Sequence, residues 1–129
     1  MFSEVLMCTI LLSIKPEYSE RILSGEKKFE FRRKRASRSV NKILIYTSAP
    51  KMKVVGEVEV TDILKSTPGD LWNQTSLKAG ISRKKFMEYF SQKECAYAYR
   101  LGKVTRFKRE KTLADYGIKT PPQSFVYID

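Results

Sequence analysis

The chain has 129 residues and carries 25 Lys and Arg against 14 Asp and Glu, a net charge of +11. That length suits one domain over residues 1–129, with a core large enough to need neither disulfide nor metal; seven Phe, seven Tyr and one Trp argue against a disordered chain. The absence of histidine excludes His-based triads, His general bases and His metal ligands, and no run is apolar for the roughly 18 residues a membrane span requires.

In chain order, Met7 to Ile14 reads as a strand that turns Cys8, Ile10, Leu12 and Ile14 toward the core. Pro16 opens a short helix, since proline suits the first helical position. Tyr18 and Ile22 lie one turn apart on it, and Gly25 sits where a helix end favours glycine. Lys28 to Arg33 reads as a second strand, with Phe29 and Phe31 on one face and Lys28, Glu30 and Arg32 on the other. The polar stretch Lys34 to Asn41 is expected to be a mobile loop. Lys42 to Thr47 is apolar enough for a central strand, and a turn at Ser48–Lys51 leads into a long strand from Lys53 to Leu64. Gly56 within it marks a bulge or a close backbone approach.

Thr67 to Asp70 reads as loop, followed by an apolar plug of Leu71 and Trp72. Ser82 is a good N-cap for a helix carrying Phe86, Tyr89 and Phe90, a stripe that reads as core. Ala96 to Leu101 is a fifth strand, extended or partnered by Val104 to Phe107. A helical turn at Leu113–Tyr116 closes on Gly117, and Ser124 to Ile128 is the last strand. The expected class is α+β: a small mixed β-barrel of about six strands with two or three short peripheral helices.

The positive charge is not evenly spread. From Lys27 to Lys53 there are ten basic residues and one acid, Glu30, and from Arg100 to Lys111 six bases and one acid. The rest of the chain is slightly acidic. A charge excess concentrated in this way is a footprint for a polyanion. Without a strongly amphipathic basic helix the partner is expected to be nucleic acid rather than a membrane: RNA first, with DNA open and protein partners unknown. Cys8 and Cys95 match no metal-ligand spacing and read as buried small hydrophobes. The start of the chain, with Glu4 and no basic run, lacks the pattern of a signal peptide. A reducing cytoplasm is the expected setting, and no metal or cofactor is expected.

Leu12-Ser13-Ile14-Lys15-Pro16 followed by Ile22 to Arg32 resembles the ASCH domain of the PUA-like superfamily. The hallmark of that family is a Gly-x-Lys-x-x-Glu-x-Arg run after the first helix, which Gly25, Lys27, Glu30 and Arg32 match. Ile45 to Pro50, Gly56 to Val60 and Pro121 to Phe125 resemble later parts of the family's pattern. The resemblance implies a PUA-like barrel, a cleft beside it and a role in binding RNA; some members are ribonucleases or amidohydrolases.

Read as chemistry, Lys27 supplies a compact charge for a phosphate, or a catalytic amine if burial lowers its pKa. Glu30 can accept hydrogen bonds from a base edge, and the Arg32 guanidinium can pair with phosphate or stack. Lys15, Ser48, Gln123 and Ser124 are expected to border the cleft as binding residues, with Ser13 a further candidate. Tyr46 and Phe125 offer stacking faces, although core packing suits them better. Arg33, Lys34, Arg35 and Arg38 are expected phosphate contacts, with Arg106, Lys108 and Arg109 a second strip.

Three classes stay open. The first is an RNA-binding domain with a cleft for a nucleotide or modified base, with a regulatory role open. The second is a small hydrolase, in which Lys27 and Glu30 are the catalytic candidates. Within it a ribonuclease is favoured over an amidohydrolase, because the family's amidohydrolases have a threonine where Glu30 stands and an acid before the later helix, absent from Leu77 to Ile81. The third is a protein-interaction module in transcriptional regulation.

Overall fold

The computed structural model describes residues 7–128. Expectations that fall on the first six residues and on the last one, including the N-terminal targeting pattern, lie outside the described residues. Six strands form one mixed sheet: β1 (Cys8–Ile14), β2 (Phe29–Arg32), β3 (Val40–Thr47), β4 (Lys53–Ser66), β5 (Ala96–Lys111) and β6 (Phe125–Ile128). Their spatial order is β2-β5-β4-β3-β1-β6. Only β1 and β3 run parallel; the other neighbours are antiparallel. Three short helices, α1 (Pro16–Leu23), α2 (Pro68–Thr75) and α3 (Arg83–Tyr89), lie around it. The six-strand α+β architecture expected from the sequence is present, but the sheet is not closed into a barrel: β2 and β6 are its two edges and do not pair.

Alternation along the strands builds a core on each side of the sheet. Ile10, Leu12 and Ile14 of β1 pack with Ile43, Ile45, Val58, Val60, Tyr99 and Ile22 of α1. Leu11, Leu44, Tyr46 and Val54 point the other way and are covered by Leu113, Tyr116 and Ile118 from the segment before β6. Tyr46 is therefore core, as its apolar strand suggests. Under α2 and α3, Phe29 and Phe31 meet Leu71, Phe86 and Phe90 in a third cluster. The rings of Phe31 and Phe86 stand edge to face at 4.9 Å, a geometry aromatic quadrupoles favour.

Several local features differ from the sequence reading. Residues 68–75 form α2, not loop and plug. Pro68 occupies the first turn and the Thr67 side chain caps it by accepting from the Asp70 N–H; the proline and glycine read as breakers start a helix instead. The Arg33–Ser39 segment is anchored. Ala36 and Val40 are buried, the Tyr99 hydroxyl accepts the Ala36 N–H at 3.0 Å, and the Tyr127 hydroxyl accepts the Arg38 N–H at 3.2 Å. Cys95 is exposed and Cys8 half-buried, so neither is the buried hydrophobe expected. Gly56 does mark both a register shift and a close approach, since a Cβ there would lie 2.5 Å from the Thr105 carbonyl oxygen. No helix among the described residues is long and apolar enough to cross a membrane.

Candidate functional site

A cleft of about 500 Å³ lies between the sheet and α3, at the unclosed seam where β2 faces the end of β1. Its walls come from Ser13, Ile14 and Lys15 at the end of β1, Glu17 and Tyr18 of α1, Lys27, Glu30 and Arg32 of and before β2, and Lys85, Glu88 and Tyr89 of α3. The strand pairing explains how these meet. Glu30 and Arg32 are two residues apart on a β2 whose other face, Phe29 and Phe31, is buried against α3. Burial of the phenylalanines therefore forces the carboxylate and the guanidinium onto the seam.

Lys27 forms the floor. It is 2% exposed, and its Nζ donates to the Ala79 carbonyl at 2.6 Å. The Lys28 N–H donates to the Lys78 carbonyl and Arg21 Nη1 to the Gly80 carbonyl, both at 2.9 Å. Three consecutive carbonyls before α3 are thus held by residues of α1 and the entry to β2, which fixes the far wall of the cleft. Gly80, at φ +65°, lies so close over Lys27 that a Cβ there would fall 2.5 Å from the lysine Cβ and Cγ. The Lys27 ammonium also lies 4.8 Å from the Phe31 ring centroid and 5.4 Å from that of Tyr18. Burial pulls its pKa down from 10.5 to about 8, against the pull of the Glu30 charge and with help from Arg21 and Arg32.

Glu30 is buried and Arg32 nearly so. Arg32 Nη2 lies 3.8 Å from Glu30 Oε2, too far for a hydrogen bond, and donates to the Ser13 carbonyl at 3.2 Å, tying β2 to β1 across the seam. Two fully enclosed atoms here have no hydrogen-bond partner: Glu30 Oε2 and Arg32 Nε. Buried polar atoms are ordinarily satisfied, because an unmade hydrogen bond costs about 1–3 kcal/mol. Glu30 and Arg32 are thus an ion pair whose hydrogen bonding is incomplete, set in the lining of a cleft.

At the mouth, Lys85 of α3 approaches Glu17 of α1 at 3.9 Å. The basic segment after β2 reaches this opening through Arg33. Arg33 stacks its guanidinium 4.4 Å from the Tyr89 ring centroid and donates from Nε to the Tyr89 carbonyl. Arg38 stacks 4.3 Å over Tyr127. Both remain exposed, as do Lys34 and Arg35.

Of the residues singled out by sequence, Lys15, Lys27, Glu30 and Arg32, together with Ser13, come together in the cleft. Ser48, Gln123 and Ser124 do not line it. The Ser48 N–H continues the sheet by donating to the Ile14 carbonyl. Gln123 and Ser124 are exposed, next to Pro122, whose carbonyl accepts from the Ser13 hydroxyl at 2.8 Å. Phe125 packs partly into the core against Tyr127. Arg106 pairs with Glu20 at 2.9 Å on the surface, away from the cleft lining. The sequence reading missed Tyr18, Glu17, Lys85, Glu88 and Tyr89 as cleft residues. For Tyr89 a signal existed: Phe86 and Phe90 are four apart and share the buried face, which leaves Tyr89 at its edge. Among the described residues no cluster of acids and cysteines could hold a metal ion.

An open mixed sheet of this topology, with a lysine–glutamate–arginine cleft at its seam, has the PUA-like fold. A profile of the ASCH domain matches residues 12–105, so the chain belongs to the ASCH domain family. The crystal structure of ASCH from Zymomonas mobilis superposes with a TM-score of 0.86 at 27% identity, covering 94% of this chain and 87% of that one. An ASCH domain-containing ribonuclease of Zymomonas mobilis is 30% identical over 92 residues, which are 70% of this chain and 62% of that protein. ATP synthase subunit alpha of Ureaplasma parvum is 32% identical over 127 residues, 98% of this chain but 16% of the relative. The chain thus spans less than two thirds of the length of these curated relatives.

Proposed function

We propose that this chain is an RNA-binding domain that seats one nucleotide in the cleft while its basic segment holds the adjoining backbone. The observation that carries the reading is the arrangement of the two parts. A nearly charge-balanced cleft lined by Lys27, Glu30 and Arg32 opens at Tyr89, on which Arg33 lies, the first residue of an exposed cationic segment that continues through Lys34, Arg35 and Arg38. Phosphate contacts of that kind supply affinity without sequence preference, and base contacts supply selection. The test is binding of a fluorescent single-stranded RNA followed by anisotropy across salt. Affinity is expected to fall steeply between roughly 50 and 200 mM salt; absent or salt-insensitive binding overturns the proposal.

Cleavage of the bound RNA is a second reading, favoured by one observation at the site and one relative. Lys27, with its pKa near 8, is held beside Glu30 in the cleft, and a similar protein is named a ribonuclease. General acid–base catalysis is most efficient when a group titrates near working pH, as Lys27 does. Under this reading Lys27→Ala abolishes cleavage of the RNA with the fold retained; a variant that cleaves at the wild-type rate removes it. A cytoplasmic setting belongs to the same proposal.

A further inference from the structure

Resting on the RNA-binding reading, we infer that a bulge in β5, at the end of the sheet away from the Arg33–Ser39 segment, is a second site for an RNA backbone, so that one chain holds two separate segments of RNA.

The bulge follows from the strand register. Gly56 of β4 pairs with Arg106 and Val54 with Lys111, so Phe107 to Glu110 stand opposite Val55 alone. Extra residues on one strand interrupt the ladder and re-aim its side chains. Phe107 turns inward and packs against the cluster of Leu11, Leu44, Tyr46 and Val54, while Lys108, Arg109 and Lys111 are exposed. The Lys111 ammonium lies 5.4 Å from the Phe107 ring centroid and 5.8 Å from that of Tyr116. Lys53 precedes Val54, the partner of Lys111, and adds a further cation at the same place.

The acids nearby are already engaged. Glu110 pairs with Lys51 at 2.7 Å and Glu20 with Arg106 at 2.9 Å; Asp115 accepts from the Thr112 N–H at 2.8 Å. Among the described residues Lys53, Lys108, Arg109 and Lys111 make no ion pair. A phosphate backbone, which offers acceptors and negative charge, complements such a group. Lysines also guard exposed strand edges against pairing with another strand. Here the bulge has already broken the ladder, so Lys108 and Arg109 have no edge to guard.

This site is not a continuation of the first. β3, eight residues long, begins just after the Arg33–Ser39 segment and ends at Thr47, the register partner of Lys53; that length of strand sets the two groups about 23 Å apart. Helix α1 stands between the cleft and the bulge. Its exposed Glu17 lines the cleft, and one turn later its exposed Glu20 holds Arg106. Two acids on that helix interrupt the positive surface, so the cations form two groups and not one track.

The test uses the whole chain and single-stranded RNA of about 6 and about 30 nucleotides, below and above what one small site covers. Stoichiometry is read by calorimetry and location by amide chemical shifts. Two short strands are expected per chain, with shifts at Arg33–Ser39 and at Arg106–Lys111. The long strand is expected to bind one to one and at least about tenfold tighter, because its second contact is intramolecular. Lys108→Ala combined with Arg109→Ala leaves one short strand per chain, removes the gain of the long one and lowers the slope of log affinity against log salt by about 1.4, at about 0.7 for each phosphate. Lys53→Ala combined with Lys111→Ala is an independent second variant, and both are checked for an unchanged melting transition. One short strand per wild-type chain with shifts only at Arg33–Ser39, or both double variants binding RNA as wild type does, overturns the inference and leaves the RNA-binding reading standing. Shifts at the bulge with the cleft and Arg33–Ser39 unmoved overturn the reading of the cleft and sustain the bulge as a site. Absence of RNA binding at both places overturns the RNA-binding reading and the inference with it.

Discussion

Lys27 makes the pH dependence of folding a direct measure of its burial. In the fold its pKa lies at about 8, against 10.5 for a lysine in water. Below about pH 8 the ammonium is charged in both states, and the folded chain bears the whole cost of burying it. Between there and 10.5 the folded chain sheds the proton and the unfolded chain keeps it. The unfolded state then binds more protons, so stability rises with pH through this window. The size of the effect follows from the gap between the two values and amounts to about 3 kcal/mol. The perturbation is Lys27→Met, which keeps the length of the side chain and cannot titrate. Urea unfolding of both proteins is measured at intervals from about pH 7 to pH 10.5. Other titrating groups cancel in the difference between them, and so does any constant offset from losing the bond to the Ala79 carbonyl. Wild type is expected to gain about 3 kcal/mol on the variant across that range. A difference that stays flat, or moves the other way, refutes the account of Lys27 as a charged group held in the floor of the cleft.

Three further outcomes are expected. Gly56→Ala drives a Cβ to within 2.5 Å of the Thr105 carbonyl oxygen and 3.0 Å of Leu23 Cδ2, so it costs about 1–3 kcal/mol by urea unfolding. Tyr99→Phe strands the buried Ala36 N–H; it lowers stability by about 1–3 kcal/mol and loosens the Arg33–Ser39 segment, seen as faster amide exchange there. Replacing Arg33 or Arg38 with alanine lowers RNA affinity and reduces the slope of log affinity against log salt by about 0.7 for each phosphate no longer neutralised, without altering which nucleoside is preferred.

Much of the fold is written in short-range patterns. The alternation of Ile10, Leu12 and Ile14 against Leu11 is visible in the sequence, and so is the phenylalanine pair that turns Glu30 and Arg32 to the seam. What escapes a local reading depends on partners distant in the chain. The Arg33–Ser39 segment looks unanchored because its anchors, Tyr99 and Tyr127, lie on β5 and β6, more than sixty residues away in each case. The helix at Pro68–Thr75 is hidden by residues that break helices in their interior and start them at their first turn. Closure of the sheet is also beyond local pattern, since it turns on whether the two edge strands β2 and β6, distant in the chain, pair with each other.

The site divides in the same way. Lys27, Glu30 and Arg32 are legible because they stand within six residues of one another and share a strand face or its entry. The wall opposite comes from α3, and nothing near Lys85 and Glu88 in the chain announces a cleft. Ser48, Gln123 and Ser124 are expected at the border because their loops lie at the correct end of the sheet. The Ser48 backbone pairs with Ile14, and all three side chains stay outside the lining.

The most direct measurement is the structure of this chain with a short single-stranded RNA bound. One base is expected in the cleft, within hydrogen-bond reach of Glu30 and Arg32, with the neighbouring phosphates beside Arg33 and Arg38. RNA lying along the paired strands β4 and β5 with the cleft unfilled would contradict a base-reading cleft.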